Sequence, residues 1–282
     1  MKKIVLIIFL FISFKGLSYE LSEIYDFNNI YEKNIIFADS KGIFYIKGDY
    51  LVKNTFNDKN INVICNLSEY GNIDKSQIRI NDGFIFMYDI NNSEVYLTDM
   101  KGVFRKKYKI EKPEKIFLQN KFEFLYFSEE LFFINPYKWD IMSKYNSDGS
   151  LYETEIFYPE SKLMDYSDSV YVIFSLNLKD ELSIIKYDNK LCTKNFDINL
   201  SNKLRKNPGF FENFQVALVR DNFFILTDKS IFVINLITNE VNEFERKKVI
   251  NENTDLNYLR LFSDNDNILL MDTYNKKLYI MN

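Results

Sequence analysis

The sequence predicts an all-β fold: a six-bladed β-propeller of four-stranded antiparallel blades, its ring closed by the N-terminal strand. Three observations predict it. An apolar run that ends in a small polar residue, turns and continues as an alternating run recurs six times along the chain. The apolar content leans on 27 Phe and 20 Tyr, which with abundant Ile suit half-buried strands. Finally, the last unit stops one strand short, while an early segment with strand character belongs to no unit of its own.

The repeated runs are IIFAD, FIFMYD, LFFIN, VYVIFS, FFILTD and ILLMD. They end at Asp39, Asp89, Asn135, Ser175, Asp228 and Asp272, with steps of 50, 46, 40, 53 and 44 residues. Each is followed by an alternating partner: GIFYIKGD, EVYLTDMKG, DIMSKYNSDG, ELSIIKYDNK, SIFVINLITN and KLYIMN. A short strand with its own tight turn precedes most of these hairpins, as in QIRINDG, FEFLYFSEE, KLMDYSDS, QVALVRDN and YLRLFSDND. A more polar strand follows them: VFRKKYKI, SLYETEIF, LCTKNFDI and EVNEFE. Four strands in meander order at this spacing make one propeller blade, apolar near the axis and polar at the rim. In the first unit the outer strand is expected within Tyr50–Leu67 and the innermost within Asn28–Lys33. Pro113, Pro159 and Pro208 fall between units, where no ladder donor is needed, and Pro136 falls in the third unit's main turn.

The chain ends in NILLMDTYNKKLYIMN, so the strand Lys277–Met281 is left with a bare edge. Bare edges invite aggregation and are normally covered. A strand from Tyr19–Phe27 is expected to pair with it and close the ring. The same terminal stretch carries a resemblance: MDTYNKKLYIMN resembles the Asp-x-x-Asn-x-basic core of the NHL-repeat family, and FIFMYDINNSEVYLTDMKGVFRKKYKI is similar in layout. That resemblance implies a six-bladed propeller; the family holds both binding scaffolds and enzymes, so it implies no activity. The Gly-His and Trp-Asp marks of WD repeats are missing, and a two-domain β-sandwich would not explain six copies.

Of the 282 residues, 46% are hydrophobic and 27% charged, so a packed core is expected. MKKIVLIIFLFISFKGLSYE reads as a secretory signal: Lys2 and Lys3, an apolar Ile4–Phe14, then Gly16 and Ser18 before a cleavage point at Tyr19. Residues 1–18 are thus a leader, retained as an anchor in the alternative reading, and 19–282 a single propeller domain, expected to be periplasmic or secreted. No later stretch is apolar enough to span a bilayer as a helix. Losing Lys2, Lys3 and Lys15 moves the formal charge from −4 to −7, which disfavours nucleic acid as a partner.

The sequence contains no histidine. Ser-His-Asp and Cys-His nucleophile systems are excluded in their usual form, as are the commonest zinc and copper sets. Calcium, which needs only oxygen ligands, survives as a cofactor, and so does a carboxylate pair for sugar hydrolysis. Asp99–Gly102 (DMKG) and Asn146–Gly149 (NSDG) read as hairpin turns rather than calcium loops. Asp39, Asp89, Asn135, Asp228 and Asp272 are expected at one mouth of the ring, as a polar collar for a cation or polyol or as caps of their own turns. NPYKWD (Asn135–Asp140) places Tyr137 and the only tryptophan, Trp139, on a main turn. Exposed aromatics there suit recognition of a sugar or a protein. The expectation is a non-catalytic binding or scaffold propeller that recognises a protein or an envelope glycan through one face. The alternative is a hydrolase or lactonase with calcium held in the central channel. Cys65 and Cys192 fall in units opposite each other across the axis, too far apart for a disulfide, so two free thiols are expected.

Overall fold

The computed structural model describes residues 21–31, 34–57, 60–73, 77–81, 83–110, 123–134, 141–155, 161–166, 169–176, 181–188, 194–199, 214–227, 230–250, 255, 258–264 and 266–281. Residues 1–18, the four prolines and Cys192 lie outside them. The chain opens with β1 (Leu21–Asp26). The first blade follows as β2 (Ile35–Asp39), β3 (Gly42–Lys47), β4 (Tyr50–Thr55) and β5 (Ile61–Asn66). The second holds β6 (Ile78–Asn81), β7 (Phe84–Asp89), β8 (Glu94–Asp99) and β9 (Phe104–Lys109). The third runs through β10 (Glu123–Phe127), β11 (Glu130–Ile134), β12 (Ile141–Tyr145) and β13 (Leu151–Glu155). Next come β14 (Ser161–Tyr166), β15 (Ser169–Leu176), β16 (Glu181–Asp188) and β17 (Lys194–Asn199), then β18 (Gln215–Val219), β19 (Asn222–Leu226), β20 (Ser230–Asn235) and β21 (Val241–Glu245). The last is β22 (Leu259–Ser263), β23 (Ile268–Asp272) and β24 (Lys277–Met281).

These strands form six four-stranded sheets, each antiparallel and in meander order, and β1 is the fourth strand of the last. The architecture is an all-β propeller of four-stranded antiparallel blades. Closure is by strand pairing between the two ends of the chain. Leu21 lies opposite Met281, Glu23 opposite Tyr279 and Asp26 opposite Lys277, with one irregularity between Glu23 and Tyr25. Phe27 continues the pairing by donating its N–H to Lys276 O at 2.9 Å, and Glu23 meets the Lys277 ammonium at 2.6 Å.

The core lies between blades rather than inside any one of them. Consecutive residues of a strand point to opposite faces, yet Ile85, Phe86, Met87 and Tyr88 of β7 are all fully buried. Both faces of the blade are therefore covered. Ile85 and Met87 pack with Phe44, Leu51 and Cys65 of the first blade, while Phe86 and Tyr88 pack with Phe124 and Phe133 of the third. Phe124 and Phe133 stack with centroids 5.0 Å apart. The same logic joins the fourth blade to the fifth through Ile184 and Phe232, and the fifth to the sixth through Phe224 and Leu270. Phe27 seals the seam between last and first, buried among Ile43, Val52, Met271 and Leu278. Side chains of the innermost strands also bridge blades: the Gln215 amide donates to Leu259 O and accepts from Leu261 N–H, both at 2.6 Å. Arg260 donates to Ile35 O at 2.9 Å, and Asn81 donates to Phe124 O at 3.1 Å and Leu163 O at 3.3 Å.

The first blade departs from the sequence reading. Ile35–Asp39 is its innermost strand, not its second, and β5 supplies the outer strand; Asn28–Tyr31 is not a strand but part of a turn, with Ile30 N–H donating to Phe27 O. The reason is that β2, buried against the sixth blade, is as apolar as a second strand elsewhere, so the pattern alone could not separate the two. Asp99–Gly102 and Asn146–Gly149 are hairpin turns, as expected. Gly102 and Gly149 adopt φ of +81° and +86° and donate to Asp99 O and Asn146 O at 2.9 Å each. Positive φ at that position is what favours glycine.

Candidate functional site

Each blade presents two ends. At one, second strands turn into third strands; at the other, first strands turn into second strands. Asp89 and Asp272 close β7 and β23, so both sit at the former end. Asp39 closes β2, a first strand, and therefore lies at the opposite mouth. There it pairs with Lys53 and its neighbour Ser40 donates to Asp264 at 2.8 Å, in the equivalent turn of the sixth blade. The expected collar thus loses Asp39 because the first blade's strands are counted differently. Asn135, Tyr137, Trp139 and Asp228 lie outside the described residues.

Asp89 and Asp272 are 1% and 3% exposed. Their carboxylates do the same work in both turns. Oδ1 of Asp89 accepts from Asn91 N–H and Asn92 N–H at 3.0 and 3.2 Å, and Oδ2 from the Asn92 amide at 2.7 Å. Asp272 accepts from Tyr274 N–H, Asn275 N–H and the Asn275 amide at 3.0, 2.9 and 2.7 Å. This is why the repeat reads Asp-x-x-Asn: the acid caps the turn and the asparagine locks the acid. Gly71 (φ +100°) lies directly over Asp89, where a Cβ would come 2.2 Å from its Oδ2. Both acids are turn caps by geometry. Among the described residues no three Asp, Glu or Cys side chains converge as metal ligands do.

Among the described residues the same end also exposes a pair of aromatic rings. Tyr274, in the sixth blade's turn, is 70% exposed, and Tyr258, just before β22, is 46% exposed. Their rings lie 5.5 Å apart, tilted by 56°. Thr273 holds the two segments together, its N–H and hydroxyl both donating to Tyr258 O at 2.7 and 2.8 Å. Sequence reasoning passed over this pair, although Tyr274 fills a variable position of the Asp-x-x-Asn turn that holds Asn91 in the second blade. An open crease of about 420 Å³ runs beside β1, lined by Glu23, Ile24, Tyr25, Asp26 and Asn29. Tyr25 forms one wall, stacked on Phe56 at 4.4 Å and bonded to the Asn54 amide at 3.1 Å.

Virginiamycin B lyase from Staphylococcus aureus, solved with quinupristin in a catalytically inactive histidine-to-alanine form, superposes with a TM-score of 0.51 at 12% identity, over 85% of this chain and 76% of the lyase. The fold is that of a β-propeller. Hydrazine synthase of Kuenenia stuttgartiensis matches over 84% of this chain and 72% of its own at 8% identity, with a TM-score of 0.49. The WD40 domain of Neurospora crassa Pan2 gives 10% identity and 0.47, over 88% and 87%. At such identities the likeness is one of fold alone. No family model and no curated protein sequence matches the chain.

Proposed function

We propose that this chain is an exported, six-bladed propeller with NHL-type repeats that binds, without catalysis, a protein or an envelope glycan through the face carrying the Asp-x-x-Asn turns. The observation that carries this reading is the Tyr258–Tyr274 pair, two exposed rings held in fixed relation on a rigid scaffold. Rigid aromatics offer large contact area at little cost in conformational entropy. The chemistry around them favours binding over turnover. There is no histidine to serve as a base, whereas the lyase of similar fold is inactivated by loss of one. The collar acids Asp89 and Asp272 are already engaged in their own turns.

The test is retention of partners by immobilised residues 19–282 from envelope extract, identified by mass spectrometry. Tyr258→Ala with Tyr274→Ala should abolish retention while stability stays within about 1 kcal/mol, as for exposed side chains, and Trp139→Ala should separately abolish retention. Retention unchanged in all these variants would refute recognition through this face.

A further inference from the structure

Large hydrophobic side chains that reach the surface are sorted by the two ends of the ring. Among the described residues, those exposed at the end where second strands turn into third are all tyrosines: Tyr31, Tyr50, Tyr258 and Tyr274. The opposite end exposes mostly aliphatic side chains, and they sit where third strands pass into fourth strands. Ile61 opens β5; Val103 and Phe104 lead into β9; Leu151 and Tyr152 open β13; Ile237 lies in the turn between β20 and β21. Val63, midway along β5, belongs to neither end. Phe104 is 52% exposed and Ile237 69% exposed. Single apolar residues on a surface are ordinary. Here the same corner is apolar and exposed in the first, second, third and fifth blades alike.

We propose that this end of the ring rests on a lipid membrane surface, with the corner side chains in the headgroup layer and the tyrosine end turned away. The proposal goes beyond the binding function given above and does not depend on it. Two observations choose a lipid surface as the occupant. First, the blades are related by rotation about the ring axis, so equivalent corners lie at similar heights around the circumference. They define a plane as wide as the ring rather than one contiguous patch, and a bilayer interface meets such a plane at every corner at once. Second, the chain enters the fold at this end. Leu21 lies opposite Met281, whereas Asp26 lies opposite Lys277 beside the turn that carries Tyr274. In the sixth blade Leu21 therefore holds the position that Ile61, Phe104 and Leu151 hold in theirs. The apolar run Ile4–Phe14 ends shortly before it, and the chain from Phe14 to Leu21 spans at most about 25 Å even when fully extended. While that run is in a membrane, this is the end held against it.

Charge decides how the contact is driven. Beside the second blade's corner stand Lys101, Arg105 and Lys106, but Asp99 pairs with Arg105 at 2.6 Å and Asp148 lies in the third blade's corner. At the same end Arg220 pairs with Asp266 at 3.3 Å. The signs are mixed, so insertion of apolar side chains drives the contact rather than attraction to anionic lipid.

Residues 19–282, which keep every described strand and leave out the apolar run, are mixed with phosphatidylcholine vesicles and separated by flotation. Saturable partitioning is expected, little changed by high salt or by added anionic lipid. It should fall by about tenfold or more when Val103→Glu and Phe104→Glu are combined, and separately in Ile237→Glu. Tyr31→Glu, at the other end, should leave it unchanged. Melting of each variant separates lost docking from lost fold, and either corner variant alone suffices. No partitioning, equal partitioning by the folded corner variants, or binding that needs anionic lipid and vanishes in high salt overturns the proposal. So does sedimentation showing a dimer that the corner variants make monomeric, since a second copy would then occupy this end.

Discussion

Removing residues up to and including Phe27 should destroy the closed ring, and Phe27→Ala should measure how much one side chain contributes to the seam. Phe27 is 1% exposed, packed among Ile43, Val52, Met271 and Leu278 from the two blades that meet there. Truncating a buried Phe to Ala costs about 3–5 kcal/mol through lost transfer energy and the cavity left behind. For a chain of this size that corresponds to a fall in melting temperature of roughly 6–20 °C. The deletion takes away the same side chain, the Tyr25–Phe56 stack and all five register pairs between β1 and β24. With hydrogen bonds worth about 1 kcal/mol each, the loss approaches the whole of a typical 5–15 kcal/mol stability. It also bares β24, so the deleted protein should associate through that edge. Circular dichroism melts and sedimentation velocity read both effects. A deletion variant that keeps the full melting temperature and stays monomeric would refute closure by this strand.

Two further outcomes follow from the turns and the buried thiol. Asp272→Ala removes an acceptor from two backbone N–H groups and one amide, and should destabilise by about 1–3 kcal/mol in chemical denaturation; because the acid caps a turn, chelator should leave the wild-type melt where it is. Cys65, free and buried, has its thiol pushed up to about 11 by burial, with the nearby Glu69 adding to it. The thiolate is disfavoured only in the folded state, so stability should be constant below the ordinary thiol value of 9.0 and decline as pH rises from there toward 11. Native protein at neutral pH should resist alkylation at Cys65, and unfolded, non-reduced protein should take the label; rapid native labelling would contradict the burial.

The repeat itself carries most of the architecture. Alternation of apolar and turn residues placed hairpins such as Phe84–Asp99 and Ile268–Met281, and the missing fourth strand after Met281 pointed to Tyr19–Phe27. The hairpins are local signals, carried by residues a few positions apart, whereas the closing strand was legible only from the count of strands per repeat. What the sequence could not settle was which strand of a blade a given apolar run becomes. Ile35–Asp39 and Phe84–Asp89 carry the same pattern, yet one lies innermost and the other second, because burial on both faces comes from neighbouring blades. That single shift moved Asp39 to the opposite mouth. Tertiary structure alone likewise paired Tyr258 with Tyr274, joined by Thr273 across 15 residues, and gathered Ile61, Phe104, Leu151 and Ile237 at one end of the ring. Exposure, and which distant segments become neighbours, are set by closure of the ring, and no window of sequence contains that.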